Sequence, residues 1–537
     1  MTSQTPVEIE AKFILADAAA ANALGAADRL ATACLDAGSV TVDTADTYYD
    51  TADCRLLRQG WGLRIRRSGE TRVATLKAQR LAREGEIYAR TEIEEPLPPE
   101  ATSDDRTNWP PALTAAFDGL LKANAPLLPL CHVTQRRVKR ILRREPDGAP
   151  WAEVSIDAVS VAPHEGGAVL ARFYELEIEL DAVSAGADGQ AELAALAAAV
   201  AAALPATPSH ASKLERALEL LSRHPLTAPE NWQGIHPTLH MAEACRLIWR
   251  EQLTAMLLNE AGVRFSDDPE YIHDMRVAIR RARAAGKLYG AYFRPKAIRR
   301  IRKGLQRTAR TLGAVRDLDV AILRLEGFSR QPGKNPDLVH TLAQWRSQRR
   351  DAHAALQTWL SSRRYERFLA EWRTFCTTPG AGVRDFAPGP GEAPTPFQVR
   401  HVMPSTILNR FEDVRAFETL FEGGATLPPE TLHQLRIACK YLRYNLEFVR
   451  NLLGDRADAL IADLRRLQDD LGDLNDAAVS KRMMSDEREA PLEPGQMRYL
   501  RAQEKAIDKL RRKASADFAH FVAPTNRQRL ALAIARI

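Results

Sequence analysis

The chain has 537 residues, 45% hydrophobic and 27% charged, a balance that excludes a fibrous or globally disordered protein and leaves room for about two to four domains. A formal net charge of +6 is mild for this length, so where the charge sits matters more than its total. The six cysteines, Cys34, Cys54, Cys131, Cys245, Cys376 and Cys439, form no CxxC pair, which argues against a disulfide framework or a zinc site and suits a reducing cytoplasm.

The N-terminus, MTSQTPVEIEAKF, has no basic n-region or apolar h-region and reads as no secretory signal. Its second half, VEIEAKF, puts Glu8, Glu10 and Lys12 on one face of a strand and Val7, Ile9, Ala11 and Phe13 on the other. Later strands share this design. LRIRR pairs Arg64 with Arg66, TLK ends in Lys77, and RTEIE carries Arg90, Glu92 and Glu94. EVSID carries Glu153 and Asp157, and YELEIEL sets Glu175, Glu177 and Glu179 opposite Leu176, Ile178 and Leu180.

One such strand is ordinarily the solvated face of an antiparallel sheet. Several together, with carboxylates and cations in mixture, weaken that reading. If the sheet closes into a barrel, these charges line its interior and require a highly charged guest. Glu8, Glu10, Glu175 and Glu177 suit hard divalent cations such as Mg²⁺ or Mn²⁺. Lys12, Arg64, Arg66 and Lys77 suit phosphate oxygens. A metal-complexed oligophosphate satisfies both sets, and no Walker-type glycine loop is present.

The series ExExK at Glu8, YYDT at Tyr48, GLRIR at Gly62, TLK at Thr75, ELEIEL at Glu175 and SK at Ser212 resembles a CYTH, or triphosphate tunnel metalloenzyme, domain over residues 1 to 222. The resemblance implies an antiparallel β-barrel whose tunnel hydrolyses a triphosphate with Mg²⁺ or Mn²⁺. By that carry-over Glu8, Glu10 and Lys12 carry catalysis, and Glu8, Glu10, Glu175 and Glu177 bind metal. Glu92, Glu94 and Asp157 add acidic lining, while Arg64, Arg66, Lys77, Arg90 and Lys213 hold phosphates. The family also expects a basic residue in TQRRVKR. Arg137 and Lys139 share one face there and Arg136 and Arg140 the other, and we assign the first pair to the tunnel.

The most apolar run, Ala191 to Leu204, is short and interrupted by Glu192, so it reads as a helix and not a membrane span. HPLTAPENWQGIHP then breaks the helical pattern, placing a linker at 223 to 235 and a helical domain at 236 to 525. The fold class is therefore α+β. In HDMRVAIRRARAAGK, His273, Arg276, Arg280, Arg283 and Lys287 follow one another at helical spacing on one face. From Arg276 to Arg310 there are 13 Arg or Lys and no Asp or Glu, so the charges repel unless an outside anion neutralises them. His433, Arg436, Lys440 and Arg443 repeat the spacing 160 residues later, and LGDLNDA follows as LGAVRDLD follows the first stripe, which indicates a duplicated unit, 236 to 376 and 397 to 525. Between the copies, 377 to 396 is Pro/Gly-rich and is expected to be a flexible connection.

A basic helix face is ordinarily solvated surface and a lone histidine ordinarily structural; the missing acids and the duplicate argue otherwise. This half resembles a CHAD domain, which implies two pseudo-symmetric four-helix units binding inorganic polyphosphate. Arg302, Lys303 and Arg307, with Arg299, Arg300 and Arg310, extend the first stripe, and Arg466, with Arg465, the second. The second copy is less basic, with Lys440 in place of Arg280 and Glu447 in place of Lys287. The expected activity is a cytoplasmic inorganic triphosphatase tethered to a polyphosphate-binding module, with association with polyphosphate granules left open. The alternatives are a non-catalytic polyphosphate-granule adaptor, or an enzyme for thiamine triphosphate or a nucleotide. Nucleic-acid binding is disfavoured because the stripe has few interleaved aromatics, and no membrane partner is expected.

Overall fold

The computed structural model describes residues 7–78, 82–84, 87–103, 106–122, 125–145, 148–180, 189–224, 234–330, 338–387, 390–421, 427–486 and 492–537. The chain is α+β and divides into two compact units. One is built on the residues up to His224 with Leu257–Asp267, the other chiefly on Trp232–Met256 and Asp268–Ile537. No described helix is long and apolar enough to cross a membrane.

The first unit holds β1 (Val7–Leu15), β2 (Arg29–Leu30), β3 (Ala33–Leu35), β4 (Val40–Asp50), β5 (Trp61–Ser68), β6 (Thr71–Ala78), β7 (Ala82–Glu84), β8 (Ile87–Pro96), β9 (Leu128–Arg143), β10 (Pro150–Ala162), β11 (Ala171–Leu180) and β12 (Ala206–Pro208). Its helices are α1 (Ala18–Gly25), α2 (Arg55–Arg58), α3 (Pro111–Leu120), α4 (Gly189–Ala203) and α5 (Lys213–Ser222). The strands pair antiparallel in the order β10, β11, β1, β8, β6, β5, β4, β9, β3, β2, with β12 on β1, β7 on β8, and a further pairing of β9 with β10.

Period-2 alternation decides what each face does. Ala11, Phe13, Val154, Ile156, Leu176 and Ile178 share a core with Leu193, Leu196 and Val200 of α4. Leu63, Ile65, Ala74 and Leu76 pack in the same way against Leu113 and Phe117 of α3. The apolar faces thus make two cores under helices, which leaves the charged faces of the same strands on the opposite side of the sheet.

The second unit begins with α6 (Met241–Phe265), whose residues from Leu257 on group with the first unit, and runs through α7 (Pro269–Leu288), α8 (Pro295–Ser329), α9 (Leu338–Leu360), α10 (Arg363–Thr377), α11 (Val399–Arg415), α12 (Glu418–Phe421), α13 (Pro429–Phe448), α14 (Arg450–Leu453), α15 (Asp455–Asp486), α16 (Pro494–Phe521) and α17 (Pro524–Ile534). Helix α8 packs between α7 and α9, as α15 packs between α13 and α16; α7 also meets α13, and α8 meets α15. The twelve α-helices among the described residues exceed the eight expected, because α10, α12, α14 and α17 stand beside the two matching series. Gly304 of α8 admits the Phe368 ring, since a Cβ there would lie 2.1 Å from its Cδ2.

The connection after α10 differs from expectation. Ala381 accepts from Arg246 Nη2 at 2.7 Å, the Gly380 amide donates to Glu243 Oε1 at 2.9 Å, and the Arg384 amide donates to the Tyr292 carbonyl at 3.0 Å. Gly382 holds a left-handed φ of 69° where a Cβ would lie 2.6 Å from that of Ala297. Composition suggested looseness, but polar groups of α6 and the turn after α7 pin these residues.

Candidate functional site

Residues opposed on neighbouring strands share a face, and the register places the charged side chains against one another. Lys12 opposes Glu177, Arg137 opposes Asp157, and Asp157 opposes Glu175. Across the sheet Lys77 opposes Glu92, Thr75 opposes Glu94, and Arg66 opposes Asp46. Together they surround a cavity of about 190 Å³ lined by Glu10, Lys12, Arg64, Arg66, Lys77, Glu92, Glu94, Arg137, Glu177 and Lys213, with Tyr48 and Thr75.

One end of this constellation is an almost dry ion cluster. Lys12 Nζ lies 2.6 Å from Glu177 Oε1, 3.3 Å from Glu10 Oε2 and 4.0 Å from Glu175 Oε1. Lys213 Nζ lies 2.6 Å from Glu177 Oε1, 2.9 Å from Asp157 Oδ2 and 3.4 Å from Glu175 Oε2. Lys213 reaches in because it opens α5, where Ser212 forms a capping box: its hydroxyl accepts from the Glu215 amide and its amide donates to the Glu215 carboxylate. Arg137 donates to both oxygens of Asp157, at 2.8 and 2.6 Å, and also to Glu177.

These contacts divide the carboxylates. Burial raises the Glu177 pKa, but Lys12, Lys213 and Arg137 outweigh it and hold that carboxyl well below its usual range. At Asp157 burial likewise opposes Lys213 and Arg137, and the cations prevail. At Glu175 burial wins and the pKa rises. Burial pushes the Tyr48 phenol up to about 12, against the lowering effect of Arg64.

At the other end Arg66 forks onto Asp46 at 2.8 and 2.9 Å. Arg64 donates to Thr75 Oγ1 at 3.1 Å, Thr75 Oγ1 donates to Glu94 Oε2 at 3.0 Å, and Lys77 Nζ meets Glu92 at 3.1 Å.

Most of the predicted tunnel residues converge here, with departures. Asp157 and Glu175 are buried behind the wall, at 0% and 1% exposure, and anchor its cations. Lys139 shares a face with Arg137 but pairs with Glu153 at 2.8 Å, its side chain 37% exposed, and does not line the cavity. Arg140 donates to the carbonyls of Asp36, Gly25 and Ala27, and Arg136 is exposed. Glu8 and Arg90 oppose each other in register, while their side chains lie outside the described residues. Sequence reasoning missed Asp46, although TADTYYD places it on the same strand face as Tyr48.

Among the described residues no three acidic, histidine or cysteine groups are disposed to hold a metal ion. The donor chemistry nevertheless suits a hard cation. Oxygens of Glu10, Glu175 and Glu177 all gather within 4.0 Å of one ammonium, and Glu175 Oε2 is buried without a hydrogen bond.

In the second unit the two stripes lie on α7 and α13. Arg280 Nε donates to Tyr444 at 2.7 Å, and Arg281 pairs with Glu447. Arg276 approaches Asp317 of α8 at 3.8 Å, and burial lowers its pKa; Arg436 is lowered in the same way, with Asp476 of α15 opposing the shift. Asp317 and Asp476 each stand five residues after the leucine of an LG segment, so both copies set an acid near the first arginine of the stripe. Acids from other helices therefore partner some charges that local spacing left repelling.

A cationic cluster remains. Lys287 and Lys440 sit over the Tyr441 ring at 4.5 and 5.0 Å, and Arg283 stands exposed beside them on α7. Arg302 and Lys303 are exposed, Arg307 covers Trp359, Arg443 lies over Tyr444, and Arg466 pairs with Asp463. His273 is half-buried, which lowers its pKa, and His433 is exposed.

The model of the CYTH domain matches residues 7–204 and that of the CHAD domain residues 247–485. Among solved structures, the CHAD domain of the plant Ricinus communis is 22% identical, covering 55% of this chain and 93% of its own, with a TM-score of 0.39. HpAC1 from Hippeastrum, a candidate adenylyl cyclase described as revealing a dominant triphosphatase activity, is 21% identical over 39% of this chain and 94% of its own, with a TM-score of 0.29. PptA from Streptomyces chartreusis is 17% identical over 52% of this chain and 100% of its own, with a TM-score of 0.39. No curated protein matches the chain.

Proposed function

The chain joins a CYTH domain to a CHAD domain, and on that premise we propose that it hydrolyses inorganic triphosphate in a charged tunnel of the first unit and binds inorganic polyphosphate on the basic helices of the second. CYTH triphosphate tunnel metalloenzymes act on triphosphates with divalent metal ions. The pairing of β9 with both β4 and β10 supports reading the sheet as a barrel around its charged faces.

One observation carries the reading: the cavity wall presents six cations, Lys12, Arg64, Arg66, Lys77, Arg137 and Lys213, against four carboxylates, Glu10, Glu92, Glu94 and Glu177. Such a wall suits a compact polyanion that arrives with a cation. Arg64, Arg66 and Lys77 would grip phosphate oxygens, while Arg137, Lys12 and Lys213, held by the buried acids, spread positive charge where the leaving diphosphate gains negative charge. Glu8, Glu10 and Glu177, backed by the buried Glu175, would hold Mg²⁺ or Mn²⁺, which supplies Lewis-acid polarisation of the phosphate oxygens when bound.

The test is phosphate release from triphosphate with Mg²⁺ or Mn²⁺, with EDTA, and for Glu10→Gln. Metal-dependent release that falls by about a hundredfold or more in the variant is expected. Equal release by both proteins removes the tunnel from the reaction.

The helical unit makes its own prediction. Burial, then Arg436, Arg280, Arg283 and Lys287, lowers Lys440 to about 8, whereas a free lysine titrates near about 10.4. A bound polyanion offsets the cation repulsion and restores the proton, so binding slightly above pH 8 takes up protons. Calorimetry in buffers of different ionisation enthalpy should show that uptake, and Lys440→Met should abolish it. Buffer-independent binding heats in the unsubstituted protein would contradict it.

A further inference from the structure

The duplication in the helical unit lets each residue of the first stripe be set beside its counterpart 160 residues on. Arg280 matches Lys440, Arg283 matches Arg443, Arg281 matches Tyr441 and Lys287 matches Glu447. The packing of α7 on α13 keeps this relation. Lys287 lies over the Tyr441 ring, and at the matching place on the other side Glu447 meets Arg281. The same contact is thus made twice, once by a cation on an aromatic face and once by an acid on a guanidinium.

The two places differ in charge. At the first, Lys440 also lies over Tyr441, and the charged groups that act on Lys440 are Arg436, Arg280, Arg283 and Lys287, all cations. At the second, three arginines from three helices converge on one carboxylate. Arg281 of α7 donates to Glu447, Arg465 of α15 donates to its Oε1 at 3.2 Å, and Arg443 of α13 lies 3.8 Å from the same oxygen. Burial raises the pKa of Glu447, whose side chain is 8% exposed, but Arg281 and Arg443 outweigh it and keep the carboxylate charged. Arg283 stands exposed, whereas its counterpart Arg443 is drawn onto Glu447 and the Tyr444 ring.

An ion pair between helices is ordinarily structural. This acid, however, continues a stripe: Glu447 follows His433, Arg436, Lys440 and Arg443 at steps of 3, 4, 3 and 4, where the first copy carries a lysine. Carboxylate and phosphate both offer a guanidinium paired oxygens, so Glu447 fills from within the chain a place that suits a phosphate. We propose that Glu447 closes one end of the anion track on α7 and α13, so that polyphosphate is held at the Lys287 end and stops before Arg281, Arg443 and Arg465. The inference rests on the polyphosphate-binding reading of this unit. Glu447 touches no ligand in it; it limits how many cations the polyanion reaches.

The test measures the affinity of the full chain for linear polyphosphate of defined length as salt is varied. Glu447→Gln, close in shape and uncharged, should tighten binding by about tenfold and steepen the slope of log affinity against log salt by about one or more, as the released arginines gain phosphate contacts. Glu430→Gln, the same change of charge on the exposed first turn of α13, should leave the slope unchanged. Equal effects of the two substitutions would make the gain one of bulk charge. No effect of Glu447→Gln would make the ion pair structural, and weaker binding would mean that Glu447 positions arginines the polyanion already touches; each of these results overturns the inference. A crystal structure of the unsubstituted chain with polyphosphate decides the matter if Glu447→Gln does not fold. Phosphate oxygens on Lys287 and Lys440, with Glu447 still on Arg281, are expected, and phosphate on Arg281 or Arg465 with Glu447 displaced overturns the closed end. An unsubstituted protein that binds no polyphosphate sinks the functional reading and this inference together, whereas normal binding that is indifferent to Glu447→Gln sinks this inference alone.

Discussion

Lys213→Met is expected to destabilise the first unit by about 3–5 kcal/mol, the usual cost of removing one partner from a buried ion pair. Lys213 is 8% exposed, and its ammonium reaches Glu177, Asp157 and Glu175 within 3.4 Å. Without it, carboxylates at 0 to 8% exposure keep only Lys12 and Arg137 as cations. Hydrogen exchange at the amides of β10 and β11 reports this unit separately within the full chain. Adding Glu177→Gln to Lys213→Met should recover part of the loss by removing the stranded charge. A loss below about 1 kcal/mol would place this pair among weak surface bridges and contradict the cluster.

The same cluster sets a pH dependence. Asp157 and Glu177 have folded pKa values below their unfolded ones of about 3.9 and 4.3, so their stabilisation is fully present above those values and is lost as pH falls through the lower folded ones. Glu175 has the opposite sign: its folded pKa is raised, so protonating it on acidification from neutral pH stabilises the unit until the unfolded value of about 4.3 is reached. Stability of β10 and β11 should therefore hold or rise slightly on mild acidification and collapse below about pH 4.

Charge reversal at both stripes, Arg280→Glu with Arg436→Glu, is expected to weaken polyphosphate binding by about a hundredfold, or about 2.7 kcal/mol. The two guanidinium groups belong to facing helices, α7 and α13, and each lowers Lys440, which places all three in one electrostatic field. The slope of log affinity against log salt should become shallower by about two, one for each lost cation contact. Binding that survives with an unchanged slope would move the polyanion to the exposed face of Arg302 and Lys303 on α8, away from the stripes.

Much of this was legible because strand and helix faces are local properties. Glu8 to Lys12 and Glu175 to Glu179 announce a charged face by alternation alone, and His273 to Lys287 announce a helical stripe by spacing. Alternation narrowed TQRRVKR to two pairs and went no further. The registry of β9 with β10 sets Arg137 opposite Asp157, while Lys139 pairs with Glu153. Asp46 went unread because a lone acid in TADTYYD has no local partner; its meaning comes from Arg66, twenty residues on.

The helical half divides in the same way. The basic run from Arg276 to Arg310 and its duplicate are written in the chain, but the acids that partner Arg276 and Arg281, Asp317 and Glu447, arrive from other helices. The sequence by itself determined which side chains share a face, because backbone geometry repeats every 2 or 3.6 residues whatever surrounds it. Only the tertiary structure decided which opposite charges meet and which polar groups stay unpartnered, because Coulomb and hydrogen-bond energies depend on distances set by the packing of segments far apart in the chain.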